Sequence, residues 1–245
     1  MRMVRRMTQA TVSYFSGCAA EYSDPDVGQS AVLVLERIGF TVDHPEQRCC
    51  GMPMLRQGNL RATLNRARFN VTSLTRAEND IVTTCPTCTL ALKHYYPQLL
   101  GTAKAESVAR RTYDIAEYLN ILRIGGHLDT DFARVSTSLL YHAPCHLKAL
   151  SPELVGHRIR LLEEIPGASV IQLERGCCGF AGSFGALRRN RLFSTQIGAV
   201  LFEKIKQATD CQVVTDCPGC KLQISYGAKV PVIHPVQILR QAYRL

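Results

Sequence analysis

Hydrophobic and polar positions along the 245 residues follow two alternating periods, and the same series runs through the chain twice. Thr11–Ser16 alternates residue by residue, as a strand does, and stops at Gly17-Cys18. Asp24-Pro25 then opens a helix to about Ile38, with proline suited to its first turn and Gly39 to its end. Phe40–Asp43 is a short strand leading toward Cys49-Cys50. Leu60, Leu64, Ala67, Val71 and Leu74 keep helical spacing through Leu60–Ala77, and the strand Ile81–Thr84 runs directly into Cys85. In the second half, the strand Ser138–His142 reaches Cys145, and a helix from Ser151 to about Glu164 ends near Pro166-Gly167. The strand Ser169–Leu173 precedes Cys177. A helix from about Ala186 to Gln207 has Leu187, Ile197, Val200, Leu201 and Ile205 as its expected inner face, and the strand Gln212–Thr215 delivers Cys217.

Strands alternating with helices predict an α/β fold made of two homologous βα repeats, each a small, mostly parallel sheet flanked by helices. Gly125–Arg134 is the expected linker, dividing the chain into 1–126 and 127–245. In such sheets, sites form beyond the carboxyl ends of the strands. The cysteines fall there, so each repeat is expected to close one cysteine-lined pocket.

Ten of the eleven cysteines repeat one scheme. The first half carries Cys18, Cys49-Cys50-Gly51 and Cys85-Pro86-Thr87-Cys88; the second carries Cys145, Cys177-Cys178-Gly179 and Cys217-Pro218-Gly219-Cys220. The intervening gaps are 30 and 34 residues in one copy and 31 and 38 in the other. Two matching sets of thiols point to two soft-metal centres, iron–sulfur clusters foremost. Cys-x-x-Cys places two sulfurs on one turn, and Pro86 and Pro218 suit the first turn of a following helix. Unpaired amides and the helix dipole there favour thiolates. Adjacent cysteines fit a single tetrahedral ion poorly and suit several irons that share ligands.

Composition narrows the picture. Hydrophobic content of 46% with 20% charged residues describes a globular chain. No apolar run approaches the roughly 18–20 residues of a membrane span; Ala31–Leu35 stops at Glu36-Arg37. Met1–Met7 is basic, with Arg5-Arg6, but Thr8-Gln9-Ala10-Thr11 follows where a signal peptide needs an apolar core. The expected location is therefore cytoplasmic, with the inner face of the cell membrane as a peripheral second. There the thiols stay reduced unless metal claims them, and a disulfide scaffold fits poorly with the long helical patterns. The formal charge of +9 counts every thiol as neutral, so bound clusters would make the protein less basic. Arg61, Arg66, Arg68, Arg110, Arg111, Arg188, Arg189 and Arg191 have no aromatic platform among them. Solvated faces or a docking surface for an acidic partner, with no nucleic acid, are the expectation.

Other residues receive plainer readings. Gly176, Gly179, Gly182 and Gly185 recur every third residue and read as bare backbone close to a bulky anion, not as a nucleotide loop. His142 and His146 flank Cys145 and read as capping or core residues, ahead of a role in tuning potential or passing a proton. Cys211 reads as a buried apolar thiol, His234-Pro235 and Asp114-Ile115 as structural echoes, and Tyr95-Tyr96-Pro97 as a helix end.

Several runs carry a resemblance: Tyr14–Cys18, Tyr141–His146, Cys177–Gly185, Gln196–Ala199 and Val214–Cys217. With the doubled cysteine pattern, the chain resembles the cysteine-rich CCG-domain family, which includes lactate utilisation protein A and the CCG-bearing polypeptide of heterodisulfide reductase. It is most similar to the C-terminal part of the iron–sulfur polypeptide of anaerobic glycerol-3-phosphate dehydrogenase. The resemblance covers nearly the whole chain. It implies Cys18, Cys49, Cys50, Cys85 and Cys88 as ligands of one centre, and Cys145, Cys177, Cys178, Cys217 and Cys220 as ligands of another. It further implies two [4Fe-4S] clusters, of a non-cubane kind in relatives with all five cysteines, with zinc in one site as the alternative. The glycerol-3-phosphate dehydrogenase polypeptide normally begins with a ferredoxin-like segment carrying Cys-x2-Cys-x2-Cys-x3-Cys-Pro, and these residues contain none. Either a separate ferredoxin-like protein supplies it, or the chain is a shortened relative.

The expected function is then an iron–sulfur electron-transfer subunit of an oxidoreductase. A flavin dehydrogenase partner would oxidise glycerol 3-phosphate or a hydroxy acid such as lactate, and electrons would pass toward membrane quinone. The chain itself carries no flavin fingerprint, so no catalytic residue of substrate oxidation is expected in it. The alternatives are a heterodisulfide reductase-like component and a zinc-stabilised structural module. A pair of thioredoxin-like dithiols at Cys85-Cys88 and Cys217-Cys220 would leave six patterned cysteines unused.

Overall fold

The computed structural model describes residues 10–173 and 176–245, and the basic Met1–Met7 segment lies outside them. Each half forms a four-stranded, wholly parallel sheet. In the first, β1 (Thr11–Tyr14), β2 (Thr41–Asp43), β3 (Asp80–Thr83) and β4 (Thr112–Asp114) assemble in the order β2-β1-β3-β4. In the second, β5 (Thr137–His142), β6 (Ala168–Leu173), β7 (Cys211–Val214) and β8 (Val232–Ile233) repeat it as β6-β5-β7-β8. Val12 stands in register with Val42 and Asp80, and Leu140 with Ile171 and Val213. Parallel pairing demands a crossover between strands, and helices supply it. The chain is thus α/β with two repeats, as the hydrophobic pattern predicts. β4 and β8 were not expected.

The strand order reverses between β1 and β3, and again between β5 and β7. In open parallel sheets this reversal leaves a crevice beyond the strand ends. Cys18 and Cys85 follow the two central strands of the first sheet, and Cys145 and Cys217 follow those of the second.

The helix Pro25–Arg37 buries Ala31, Val34 and Leu35, and Gly39 follows it with φ +96°. The helix Leu60–Leu74 is capped by Asn59, whose side chain accepts the Ala62 N–H. Two expectations need correction. The Ala186–Gln207 helix begins only at Arg191, and its inner face is Ser194, Gly198, Leu201, Phe202 and Ile205. Leu187, Ile197 and Val200 are exposed, because the glycine-rich loop and Phe202 set the rotation of this helix. Tyr95-Tyr96-Pro97 does not end a helix. A π-turn at Ala91–Tyr95 leads into the helix Tyr96–Leu100, and such turns let a helical path absorb the proline.

The halves pack crosswise. Helix Pro25–Arg37 of the first lies against Pro235–Ala242 of the second, and Ile115–Ile124 lies against Glu153–Glu163. One hydrophobic cluster consequently runs through both, joining Val12, Leu35 and Leu119 to Leu139, Leu162 and Leu239. Asp114 and His234 are equivalent helix caps, each completing a reciprocal box with Glu117 or Gln237, so their structural reading holds. Arg158, wholly buried, lies 2.5 Å from Asp114 across the interface and 2.6 Å from Asp216 in its own half.

Candidate metal centres

The sulfurs of each repeat converge beyond the ends of its central strands. In the first, the Cys18 thiol faces Cys49, Cys49 faces Cys50, Cys50 faces Cys88, and Cys88 faces Cys85. In the second, contacts run from Cys177 to Cys178, Cys220 and Cys217, while Cys145 senses the charges of Cys217 and Cys178. The Sγ atoms of Cys178 and Cys220 are 3.2 Å apart, and all eleven cysteines are unbridged. Cys211, at the start of β7, is half-buried and stands outside both sets.

Local structure explains the convergence. Cys85 and Cys217 are extended residues before Pro86 and Pro218, which occupy the first helical turns. Cys88 and Cys220 therefore project from helix N-termini, where free amides surround them. The Cys85 sulfur accepts N–H groups from Cys88 and Thr87, and the Cys177 sulfur accepts that of Gly179 at 3.3 Å. Gly51 and Gly179, after the paired cysteines, adopt φ +88° and +82°. A Cβ on Gly179 would lie 2.0 Å from the Ser194 carbonyl oxygen. The glycine repeat thus serves helix packing as much as approach to an anion, which corrects the sequence expectation.

The electrostatics are those of crowded sulfur. Cys18 and Cys50 donate to Cys49, which raises both their pKa values and lowers that of Cys49. Cys177 and Cys220 act likewise on Cys178, whose pKa falls, with the His142 ring as a further donor. Burial, followed by the charges of Cys217 and Cys178, raises Cys145. Buried thiols whose main partners are other thiols form a donor set that a soft cation would satisfy, and the residues fit an iron–sulfur or thiophilic metal centre.

His142, which the sequence reads as a capping or core residue ahead of one that tunes potential, lies at the second set. Its ring nitrogen and the sulfurs of Cys178 and Cys220 all lie within 4.8 Å of one another, and all three residues are buried. The available signal was its position at the end of β5, pointing where a strand end meets the cysteines. His146 instead bridges the halves. Its Nε2 accepts from Arg56 Nη2 at 2.7 Å, so its Nδ1–H donates to Thr87 Oγ1, also at 2.7 Å. Burial and the Arg56 charge lower its pKa and keep the ring neutral.

The two sets are neighbours. Ser16, Thr84, Cys85, Asp216, Cys217 and His234 line one cavity at the interface, so a cysteine of each set reaches the same space. Cys18 and Cys49 also open onto a cleft lined by Glu21, Gln47 and Arg66. Cys18, Cys145 and Cys177 are exposed, whereas Cys50, Cys85, Cys88, Cys178 and Cys220 are buried. Arg111 is buried, donating to the Leu74 and Asn79 carbonyls, and is no part of a solvated face. Among the described residues, no helix is long and apolar enough to cross a membrane.

Comparison with known proteins agrees with the doubled geometry. The model of the CCG cysteine-rich domain matches residues 12–93 and 139–225. The chain is 30% identical over 236 residues to the C subunit of anaerobic glycerol-3-phosphate dehydrogenase from Escherichia coli K12, covering 94% of itself but 59% of that protein. It is 31% identical over 246 residues to the B subunit of fumarate reductase (CoM/CoB) from Methanothermobacter marburgensis, spanning 95% of itself and 46% of the relative. Lactate utilization protein A of Halalkalibacterium halodurans is 28% identical over 247 residues, with 95% and 98% covered. Among solved structures, a hypothetical protein from Helicobacter pylori superposes with a TM-score of 0.59 at 12% identity, covering 96% of this chain and 49% of that one. That likeness is one of fold.

Proposed function

The chain belongs to the CCG cysteine-rich domain family, and from that premise we propose that it is an iron–sulfur electron-transfer subunit of an oxidoreductase. The observation that carries this reading is the gathering of the patterned cysteines, in two sets, beyond the central strands of adjacent sheets. Cys18, Cys49, Cys50, Cys85 and Cys88 would hold one centre; Cys145, Cys177, Cys178, Cys217 and Cys220 would hold the other. When bound, such a centre supplies one-electron storage, and the ligand set suits [4Fe-4S] clusters of non-cubane form. The chain's own part is to bury sulfurs of both sets, direct amides at them and keep the sets beside one cavity.

Relatives named as dehydrogenase and reductase components support an oxidoreductase role. The partners we propose are a flavin dehydrogenase, acting on glycerol 3-phosphate or a hydroxy acid such as lactate, and a ferredoxin-like iron–sulfur protein. Membrane quinone is the proposed acceptor beyond them. The exposed sulfurs of Cys145 and Cys177 also support a second reading, attack on a substrate disulfide at the second set. The nitrogen and two sulfurs of His142, Cys178 and Cys220 support a third, zinc held structurally.

Anaerobic purification tests these readings. Iron with acid-labile sulfide and broad visible absorbance is expected; colourless protein containing zinc overturns the electron-transfer reading. Reduction of the chain by a flavin dehydrogenase, without turnover of added disulfide, is expected next. Disulfide turnover would favour the second reading.

A further inference from the structure

The two repeats each place a tyrosine near the end of the first central strand and differ at the residue after it. Tyr14 in β1 and Tyr141 in β5 hold equivalent places. Tyr14 Oη hydrogen-bonds Thr84 Oγ1 at 3.0 Å, and Tyr141 Oη donates to Asp216 Oδ2 at 2.6 Å. Thr84 and Asp216 each precede the first cysteine of a Cys-x-x-Cys pair. The next residue is Phe15 in one repeat and His142 in the other. Phe15 is wholly buried among Cys50, Cys85 and Cys88. His142, also buried, approaches Cys178 and Cys220, the counterparts of Cys50 and Cys88. One set therefore meets a hydrocarbon ring where the other meets a ring bearing N–H.

One arginine acts on each set. Arg66 acts on Cys49 in the first set, and Arg56 acts on Cys145 in the second. Asp216, beside Cys217, is paired with the buried Arg158. Two further differences stand beside the ring: the Thr87 hydroxyl donates to Cys85 where the second repeat has Gly219, and Asp216 stands where the first has Thr84.

Resting on the iron–sulfur reading above, we infer that His142 donates a hydrogen bond to a sulfur of the second set and holds that centre's reduction potential above the value it would have with phenylalanine there. The physical reason is general. Reduction adds negative charge to the cluster and its sulfurs, and an N–H directed at sulfur stabilises that charge, whereas a phenyl ring cannot. His142 acts here as a positioning and tuning residue, and the sulfurs remain the ligands.

The molecule contains its own control, because phenylalanine already occupies this position in a cysteine-lined repeat. The full chain is purified anaerobically, its iron and sulfide are quantified, and the centres are titrated potentiometrically by EPR. His142→Phe should retain iron and lower the second centre's wave, so that at fixed potential the ratio of reduced to oxidised second centre falls about tenfold, about 59 mV for a one-electron couple. Phe15→His should raise the first centre's wave. Labelling histidine with 15N should reveal the weak nitrogen coupling of a hydrogen-bonded ring. The inference is overturned if both variants keep iron and leave the waves in place. Loss of the second centre's iron in His142→Phe, or the large coupling of a metal-bound nitrogen, overturns it as well. Absence of iron and sulfide from the unaltered chain sinks the underlying function instead, so the two failures are distinguishable.

Discussion

The guanidinium of Arg158 lies 2.5 Å from the carboxylate of Asp114, a helix-capping residue of the other repeat, and neither is accessible to solvent. The second contact of Arg158, to Asp216, places one cation between two buried carboxylates. Burial weakens the competing interaction with water, so this triad joins the two halves.

Removing the cation alone should be costly. Arg158→Leu leaves Asp114 and Asp216 facing each other without a counterion, and a loss of about 3–5 kcal/mol in unfolding free energy is expected. Urea denaturation measures it; a loss below about 1 kcal/mol would show that the triad contributes little.

Asp114 should impose a pH dependence of unusual sign. Burial, opposed by the Arg158 charge, raises its pKa to about 6, and its Oδ2 has no hydrogen-bond partner to lose on protonation. The folded protein then holds a proton that the unfolded chain releases near pH 4. This residue's stabilisation is fullest below that value and declines as pH rises through 6, by roughly 2–3 kcal/mol. Asp114→Asn should flatten that part of the profile. An unchanged slope between pH 4.5 and 7 in the variant would refute the assignment.

His234, at the equivalent cap, should act in the opposite direction. Its Nδ1 accepts the Val236 N–H, leaving Nε2–H to donate to the Thr84 carbonyl at 2.9 Å, and burial lowers its pKa from 6.5. Its stabilisation is complete above the unfolded value and declines as pH falls below it. His234→Asn retains a capping acceptor and should remove this acid-side loss. Chemical denaturation at pH 7 and pH 5.5 makes the comparison, and equal losses in both proteins would count against it.

The two sets should fill independently. Cys178→Ser or Cys50→Ser should each remove roughly half of the iron and sulfide, since each set draws its sulfurs from one repeat. Iron analysis with EPR is the readout. Equal damage to both centres from either substitution would mean that the sets assemble as one.

Backbone crowding should separate two glycines of similar φ. Gly179→Ala forces a Cβ onto the Ser194 carbonyl, whereas Gly58, at φ +77°, has nothing within 4 Å. Gly58→Ala should cost about 1–2 kcal/mol for the left-handed conformation alone. Gly179→Ala should cost more and release metal from the second set. Thermal unfolding and metal content together test the contrast, and similar melting temperatures would contradict it.

Much of this architecture was legible before folding. Strand alternation, helix-capping prolines and the doubled cysteine scheme depend on neighbours a few residues apart, so Thr11–Tyr14, Pro25–Arg37 and the turns at Cys85 and Cys217 could be read locally. Short strands were legible unevenly: β2, of three residues, was read, whereas β4 and β8 were not. The inner face of Arg191–Gln207 was misread for a different reason. Its apolar residues outnumber its buried ones, and the contacts of its Ser194 with Gly179 and of its Phe202 with Gly227 select the face.

What the chain's order alone determined is the α/β repeat and the ten cysteines in two matching sets, because periodicity and turn chemistry are properties of adjacent residues. What only the tertiary structure decided is which groups meet across large separations: Arg158 with Asp114, His146 with Arg56 and Thr87, and His142 with Cys178 and Cys220. Those pairings follow from crosswise packing of the two halves and from rotation of buried helices. Both are set by the shape of the shared core, which no local pattern encodes.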